Sequence, residues 1–442
     1  MQTKQGTMAS SAHDTPTHEL LESLFRGAVA AAHPAACLPP NLPEPPRRGR
    51  LVILAAGKAA GAMTEVAEAH YLPELPAARL AGLAVTRHGY GRPTRHIPVI
   101  EAGHPVPDKA GISATKRALA LADAVDANDL VLVLLSGGAS ANWIAPAPGL
   151  SLEEKQAVTR ELLKSGAAIA EINAVRKHLS RIKGGRLAKR AHPAKVVTLA
   201  ISDVPGDDPA VIGSGPTVAD PTTLADARAI AAGHRLALPE SVRYALDDPG
   251  NETPKPGDPV FAGSAYRIVA RPADALAAAA ERAKAAGYEC VMLGGRLQGE
   301  AREVAAEHAR LALSLAAEGR RTAVLSGGEL TVTLRGKGQG GPNQEYALAL
   351  AIALDGAPGI AALAADTDGT DGGGGRPDDP AGAFVDPTTL SRARAAGLDP
   401  AAFLADNNST GFFNGIGDLF RPGPTFTNVT DFRAIVIDGG RN

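Results

Sequence analysis

Leu130 to Asn142 reads LVLVLLSGGASAN, six aliphatic residues followed by a loop of small residues that carries two hydroxyls. A run that short, bounded by Asp129 on one side and Ser136-Gly137-Gly138 on the other, predicts a parallel strand buried on both faces. In open α/β sheets ligands lie beyond the carboxyl ends of the strands, and glycines there let backbone N–H groups approach an anion without an obstructing Cβ. Gly137 and Gly138 fit that use. The competing reading makes them a tight strand-to-helix turn and nothing more.

The 442 residues have room for two or three domains, and with only 4% aromatics the core must be built mostly from Ala, Leu and Val. A formal charge of −2 supplies no global field for nucleic acid or an anionic membrane, so any anion site has to be local. Cys37 and Cys290 lie far apart with no CxxC or His partner spacing, which argues against a disulfide framework and a zinc site and fits a reducing cytoplasm. Residues 1–17 are polar without an apolar stretch, and no run approaches 18 apolar residues, so neither a signal peptide nor a membrane span is expected.

Working outward from the central strand, the apolar spacing predicts a helix over 19–32, strands at 51–55, 80–85, 97–100 and 195–201, and a helix over 109–127. This is a βαβ rhythm. Lys58, in AAGKAAGAM, follows the first strand and precedes a helix, where it can aim a positive charge at a ligand; a solvated helix-start lysine is the plainer reading. The stretch is not a Walker A loop, because Val52 stands at the required first glycine and Ala59 follows the lysine. His104 is a candidate ligand or acid/base group, or simply a loop hydrogen-bonder before Pro105. Ser151 and Glu154 form a capping box. Arg176 and Lys183, seven apart, would share one helix face and could point at one anion, although a charge run is more often a solvated face. Asp203 follows the strand at 195–201, where a carboxylate with nearby hydroxyls suits a divalent cation carrying phosphate.

The polar, Pro-rich stretch 247–258 predicts a domain boundary, after which a second α/β rhythm begins. Its strands are expected at 267–270, 289–293, 322–325, 331–335 and 360–365. Ser326-Gly327-Gly328-Glu329 echoes the first SGG, the loop 336–345 reads GKGQGGPNQE, and the strand at 360–365 leads into DTDGTDG with Asp371.

Three chemistries compete for these parts. Phosphoryl transfer needs mainly positioning and charge neutralisation, so Gly-rich loops, cations and carboxylates at strand ends suffice. Hydride transfer is suggested by Gly336, Gly338 and Gly341, which satisfy G-x-G-x-x-G, with Asp366 25 residues on; the match is weak, since the preceding residues alternate Thr and Val. A serine hydrolase fails sooner, because Gly138-Ala139-Ser140-Ala141-Asn142 lacks the last glycine of the nucleophile elbow.

The segments SGGASAN, INAVRKHLSRIKGGRLA, SDVPGDDPAVIGSGPT, SGGELTVTLRGKGQGGPNQE, GTDG with AGAFVD, and GPTFTNVTD resemble the glycerate 2-kinases of the MOFRL type, many of them labelled hydroxypyruvate reductases. The resemblance runs from about Glu19 to Ile437. It implies two α/β domains, a Rossmann-like N-terminal one and a smaller C-terminal mixed-sheet one, with an interdomain cleft. It also implies phosphorylation of D-glycerate by ATP with Mg²⁺ to 2-phosphoglycerate, and an active-site role for Lys58. The family's other active-site cation is the arginine of GGRNQE, and Pro342 stands at that position here.

The resulting expectation is a tail over 1–18, an N-terminal domain over 19–250 and a C-terminal domain over 259–438. Lys58, Arg176, Asp203 and Asp371 are the expected catalytic residues; Gly137, Gly138, Ser140, Lys183, Gly338, Gly340, Gly341 and Asn343 would bind ATP; Asp203, Glu329 and Asp371 would hold Mg²⁺. The acceptor is D-glycerate or a related hydroxy acid, with no nucleic-acid or membrane partner, a cytoplasmic setting and room for a homodimer. The alternatives are an NAD(P)H-dependent hydroxypyruvate reductase and a homologue impaired by Pro342.

Overall fold

Strands β1 (Leu51–Ala56) and β4 (Leu130–Leu135) are buried at every residue, as unbroken aliphatic runs in a sheet covered on both faces must be. The computed structural model describes residues 16–373 and 376–439. Together with β2 (Leu80–Arg87), β3 (Val99–Ala102), β5 (Lys195–Ile201) and β6 (Ala265–Ala270), these two strands make a sheet in the order β3-β2-β1-β4-β5-β6, parallel at every pairing. That is the doubly wound Rossmann order, whose direction of winding reverses between β1 and β4. The register pairs Leu51 with Leu130 and Ala56 with Leu135, so the two central strands end level. Everything that follows β1 and β4 in sequence therefore emerges at the switch point, where such sheets bind ligands.

Helices enter through the signals expected of them. The Asp108 carboxylate accepts the Gly111 N–H at 2.8 Å at the start of the helix Lys109–Asp123, and Ser151 and Glu154 complete the capping box of Leu152–Lys164. The long crossovers carry a helical cluster of their own. Val158, Leu162, Val175, Leu224, Val242 and Leu246 pack together from four helices, Leu152–Lys164, Ile169–His178, Leu224–Gly233 and Glu240–Asp247, with Leu179 just past the end of the second. The helix carrying Arg176 ends at His178, so Lys183 does not lie on it, contrary to the shared-face expectation. It stops because Lys155, buried, donates its ammonium to the Arg176 and Leu179 carbonyls at the helix C-terminus, where a cation is favoured.

The second sheet contains β7 (Glu289–Leu297), β8 (Thr322–Gly328), β9 (Ile360–Asp366), β10 (Gly382–Val385), β11 (Leu419–Phe420) and β12 (Asp431–Ile437), in the order β11-β10-β9-β12-β8-β7. Only β7 and β8 pair in parallel, so the sheet is mixed. The SGG echo differs from its original: Ser326 to Gly328 lie inside β8. The strand expected at 331–335 does not form; Thr331 makes an isolated bridge to Glu300, and Thr333, Leu334 and Arg335 face solvent.

The described residues divide into two compact units, one within 30–275 and 424–430, the other made of those described within 1–29, 276–423 and 431–442. Strand β6 belongs to the parallel sheet, although it lies beyond the polar stretch 247–258. Of the tail expected over 1–18, residues 1–15 lie outside the described residues, and 16–18 open the helix Pro16–Ala32, which buries Leu21, Leu24 and Phe25. No described helix is long and apolar enough to cross a membrane.

Candidate functional site

Beyond β1 and β4 the two strand ends are stitched by backbone. The Lys58 N–H donates to the Gly137 carbonyl at 2.7 Å, and the Ala59 N–H donates to the Ser136 hydroxyl at 2.9 Å. The closeness demands glycine: Gly57 sits at φ +118°, and a Cβ on it would overlap the Ser136 hydroxyl and carbonyl. Gly138, at φ +83°, carries the start of the short helix Ala139–Asn142; a Cβ there would stand 3.1 Å from the His104 Nε2 and 3.3 Å from the Lys58 Cγ. The Lys58 and His104 side chains thus flank the glycine loop. On its other side, a Cβ on Gly137 would overlap the Asp203 carboxylate and the Asn428 amide, which are themselves joined at 3.0 Å. One glycine pair therefore lies in contact with a lysine, a histidine, a carboxylate and an amide, all in one unit.

Three further basic side chains, Lys155, Arg176 and Lys183, belong to this unit. Lys183 is buried and donates to the Ser140 carbonyl and hydroxyl, both at 2.8 Å. Burial, Arg176 and Lys155 together hold the Lys183 ammonium well below the usual lysine range. Burial likewise lowers Arg176, whose guanidinium has no hydrogen-bond or ion-pair partner among the described residues. Buried positive charge left unpaired is costly, and an anion is the ordinary remedy.

The second unit uses its expected site residues differently. Asp371, 3% exposed, accepts the Asn343 and Gln344 backbone N–H groups at 3.1 and 2.9 Å and their side-chain amides at 3.2 and 3.1 Å, two donors to each oxygen. It caps the helix Pro342–Leu354. With two donors on each oxygen, the carboxylate anchors this helix start. Asn343 shares its amide between Asp371 and Asp431, the latter at 2.7 Å, and so is committed inward. Of the glycines expected to cradle phosphate, Gly338 donates its N–H to the Asp406 carbonyl, Gly340 presses on the Ser409 hydroxyl and Gly341 on the Asp371 carboxylate. They are glycines because chain segments touch there. Glu329 is exposed on the loop after β8. Asp203 belongs to one unit and Glu329 and Asp371 to the other, and no group of three or more His, Cys, Asp or Glu side chains converges as a metal site among the described residues.

Asn428 and Ser214 carry no weight in the sequence reading of the site, although both lie in segments quoted for the family resemblance, GPTFTNVTD and GSGPT. Polar residues with no titratable group leave little signal until the fold sets them against Asp203 and Ser140.

Fold and site describe an α/β protein of two units, a Rossmann-ordered parallel sheet and a mixed sheet, with cations gathered at glycine-lined strand ends. Residues 20–247 match a family described as "Domain of unknown function (DUF4147)", and residues 322–431 match the MOFRL family. The chain is 39% identical to the D-glycerate 2-kinase of Thermotoga maritima, over 93% of this chain and 96% of that one. It is 49% identical to a "Putative hydroxypyruvate reductase" of Agrobacterium vitis, over 96% and 95% of the two chains. The crystal structure of a Thermotoga maritima glycerate kinase superposes with a TM-score of 0.83 at 38% identity, covering 95% of this chain and 99% of that one. The chain belongs to the glycerate kinase family of the MOFRL type.

The anchor reading of Asp371 sets its own test. Burial pushes its carboxyl from 3.8 up to about 7 in spite of four N–H donors, so its contribution to stability is full below about pH 4 and is lost as pH rises through about 7. Asp371→Ala should cost about 1–3 kcal/mol by leaving buried donors unpaired, and should remove the part of the stability loss between pH 5 and 8 that the wild type owes to this group. Denaturant unfolding at the two pH values measures both. An unchanged midpoint with lost turnover would return Asp371 to the reaction.

Proposed function

We propose that this protein transfers the γ-phosphoryl group of ATP to the 2-hydroxyl of D-glycerate, giving 2-phosphoglycerate in the cytoplasm. The observation that carries the reading is the switch-point loop, Gly137–Gly138 flanked by Lys58, in the same unit as an Arg176 guanidinium with no partner among the described residues. Phosphoryl transfer asks for such parts: oriented N–H groups and cations, with little covalent chemistry from the protein. The relatives' names supply the substrates, D-glycerate and the 2-position.

ATP supplies the group transferred. In this reading the Gly137 and Gly138 backbone and the Lys58 ammonium take the charge of the phosphates, and Arg176 pairs with the carboxylate of glycerate, which a guanidinium can grip with two hydrogen bonds. Mg²⁺ would be held by Asp203, oriented by Asn428; one carboxylate suffices because magnesium keeps most of its water and takes its remaining oxygens from phosphate. His104 lines the same loop on the Lys58 side.

The reductase alternative is weaker on physical grounds. Its G-x-G-x-x-G loop would have to offer N–H groups and a helix N-terminus to a pyrophosphate. Here the N–H groups of Arg335, Gly336, Lys337 and Gly338 are all donated to residues 406–407, and Asp371 occupies the helix N-terminus.

Two variants test the assignment, each assayed with D-glycerate and ATP/Mg²⁺ against hydroxypyruvate and NAD(P)H. Lys58→Ala should lower kcat/KM about 10²–10⁴-fold with little change in Tm, as loss of one preorganised charge does; a matching collapse of Tm would make Lys58 structural. Pro342 is the first residue of the helix Pro342–Leu354, where no backbone N–H is needed, so Pro342→Arg should fold normally. If the family arginine acts from this position, the variant should raise kcat/KM for D-glycerate about 10-fold or more. A fall, in a folded variant, would mean that the site has been rebuilt around proline for another hydroxy acid.

A further inference from the structure

One hydrogen-bonded set in the Rossmann-ordered unit has no part in the scheme above. The Ser140 hydroxyl lies 2.8 Å from the Lys183 amine and 2.5 Å from the Ser214 hydroxyl. Ser214 is buried and held at φ +63°, a left-handed conformation that a serine adopts only where its surroundings insist on it. Lys183 is 1% exposed, and Ser140 alone of the three is partly open. The charged groups facing Lys183 are Arg176 on the helix Ile169–His178 and Lys155 on the helix Leu152–Lys164, both cations; no carboxylate among the described residues pairs with it. This is the pattern of an activated hydroxyl: a reachable oxygen, a proton acceptor against it and a third group fixing its orientation.

We propose that Ser140 and Lys183 form the relay that takes the proton from the acceptor hydroxyl, with Ser214 holding Ser140 in place. The proposal rests on the kinase reading and names the group that this reading leaves open, since the Asp371 carboxylate is occupied by the helix cap. As the acceptor oxygen bonds to the γ-phosphorus and the bond to the β-phosphate oxygen breaks, the acceptor's proton moves to the Ser140 oxygen while the Ser140 proton passes to the neutral Lys183 amine. ADP leaves with the electron pair, and Lys183 later releases the proton to solvent. An amine suits this place better than a carboxylate. It adds no negative charge beside the triphosphate and the substrate carboxylate, and becomes positive as the transfer proceeds, when charge on the leaving group grows. Burial and the two neighbouring basic groups hold the ammonium well below the usual lysine range, which favours the neutral amine that the relay uses.

The test is chemical rescue in the full-length protein. Lys183→Ala should lower kcat/KM for D-glycerate about 10²–10⁴-fold, and methylamine should restore it at least tenfold, in proportion to the free base. Ser140→Ala should lose activity to a similar degree without rescue, and Lys183→Arg should stay inactive because a guanidinium does not release its proton. In the wild type kcat/KM should fall on the acid side, and that limb should vanish in Lys183→Ala. Thermal melts identify any variant that fails to fold; in that event the acid limb in Ser140→Ala decides, its persistence at undiminished rate overturning the relay. Folded Lys183→Ala that keeps activity within threefold, or loses it and gains nothing from methylamine, overturns the relay alone. A wild type that turns over no D-glycerate overturns the kinase reading and the relay with it.

Discussion

Everything at the site depends on the bond between the Lys58 N–H and the Gly137 carbonyl, 2.7 Å across the point where the parallel sheet reverses its winding. It can form only because β1 and β4 end in register and because Gly57 and Gly137 leave no side chain in the gap. With the two loops fastened, the Lys58 side chain has little choice but to leave along Gly138, beside His104, and Asp203 reaches Gly137 from the next strand. The aliphatic core, with Val52, Leu54, Val131 and Val133 fully or almost fully buried, makes this floor stiff. Stiffness is what electrostatic catalysis requires, since charges that need not reorganise are worth most.

A second theme is the handling of buried charge. In the Rossmann-ordered unit Lys155, Arg176 and Lys183 are gathered, no carboxylate among the described residues pairs with Lys183, and the Arg176 guanidinium makes no hydrogen bond or ion pair among them. In the other unit the carboxylates are paired within the protein: Asp371 takes four N–H donors, and Asp431 takes Asn343 and the buried Arg433 guanidinium, while Asn343 Oδ1 and Arg433 Nε have no hydrogen-bond partner among the described residues. Paired carboxylates fix the local fold; a cation without a partner among the described residues is available for ligand. The same rule that makes Asp371 an anchor makes Arg176 a candidate for binding.

The strands were legible in the sequence where a single period ruled. The aliphatic runs of β1, β4 and β5 announced themselves, and the βαβ rhythm led to the α/β class. Residues 331–335 alternate like a strand, but Leu334 is 80% exposed and the backbone N–H groups of Arg335 to Gly338 bond to residues 406–407, so tertiary contact prevails over pattern. The glycines of 336–341 carried an ambiguous message for the same reason: glycine marks close approach, and sequence does not say whether chain or ligand approaches. Lys58 was legible because a cation at a helix start is unusual. Asn428 was not, because its partner Asp203 is 225 positions away.

Phosphorus NMR of the reaction mixture tests the phosphoryl transfer most directly. With ATP, Mg²⁺ and D-glycerate the account predicts a new resonance of a secondary phosphate ester, 2-phosphoglycerate, growing in step with ADP. Phosphate found on the 3-position, or no ester at all while hydroxypyruvate oxidises NAD(P)H in a parallel sample, would contradict it.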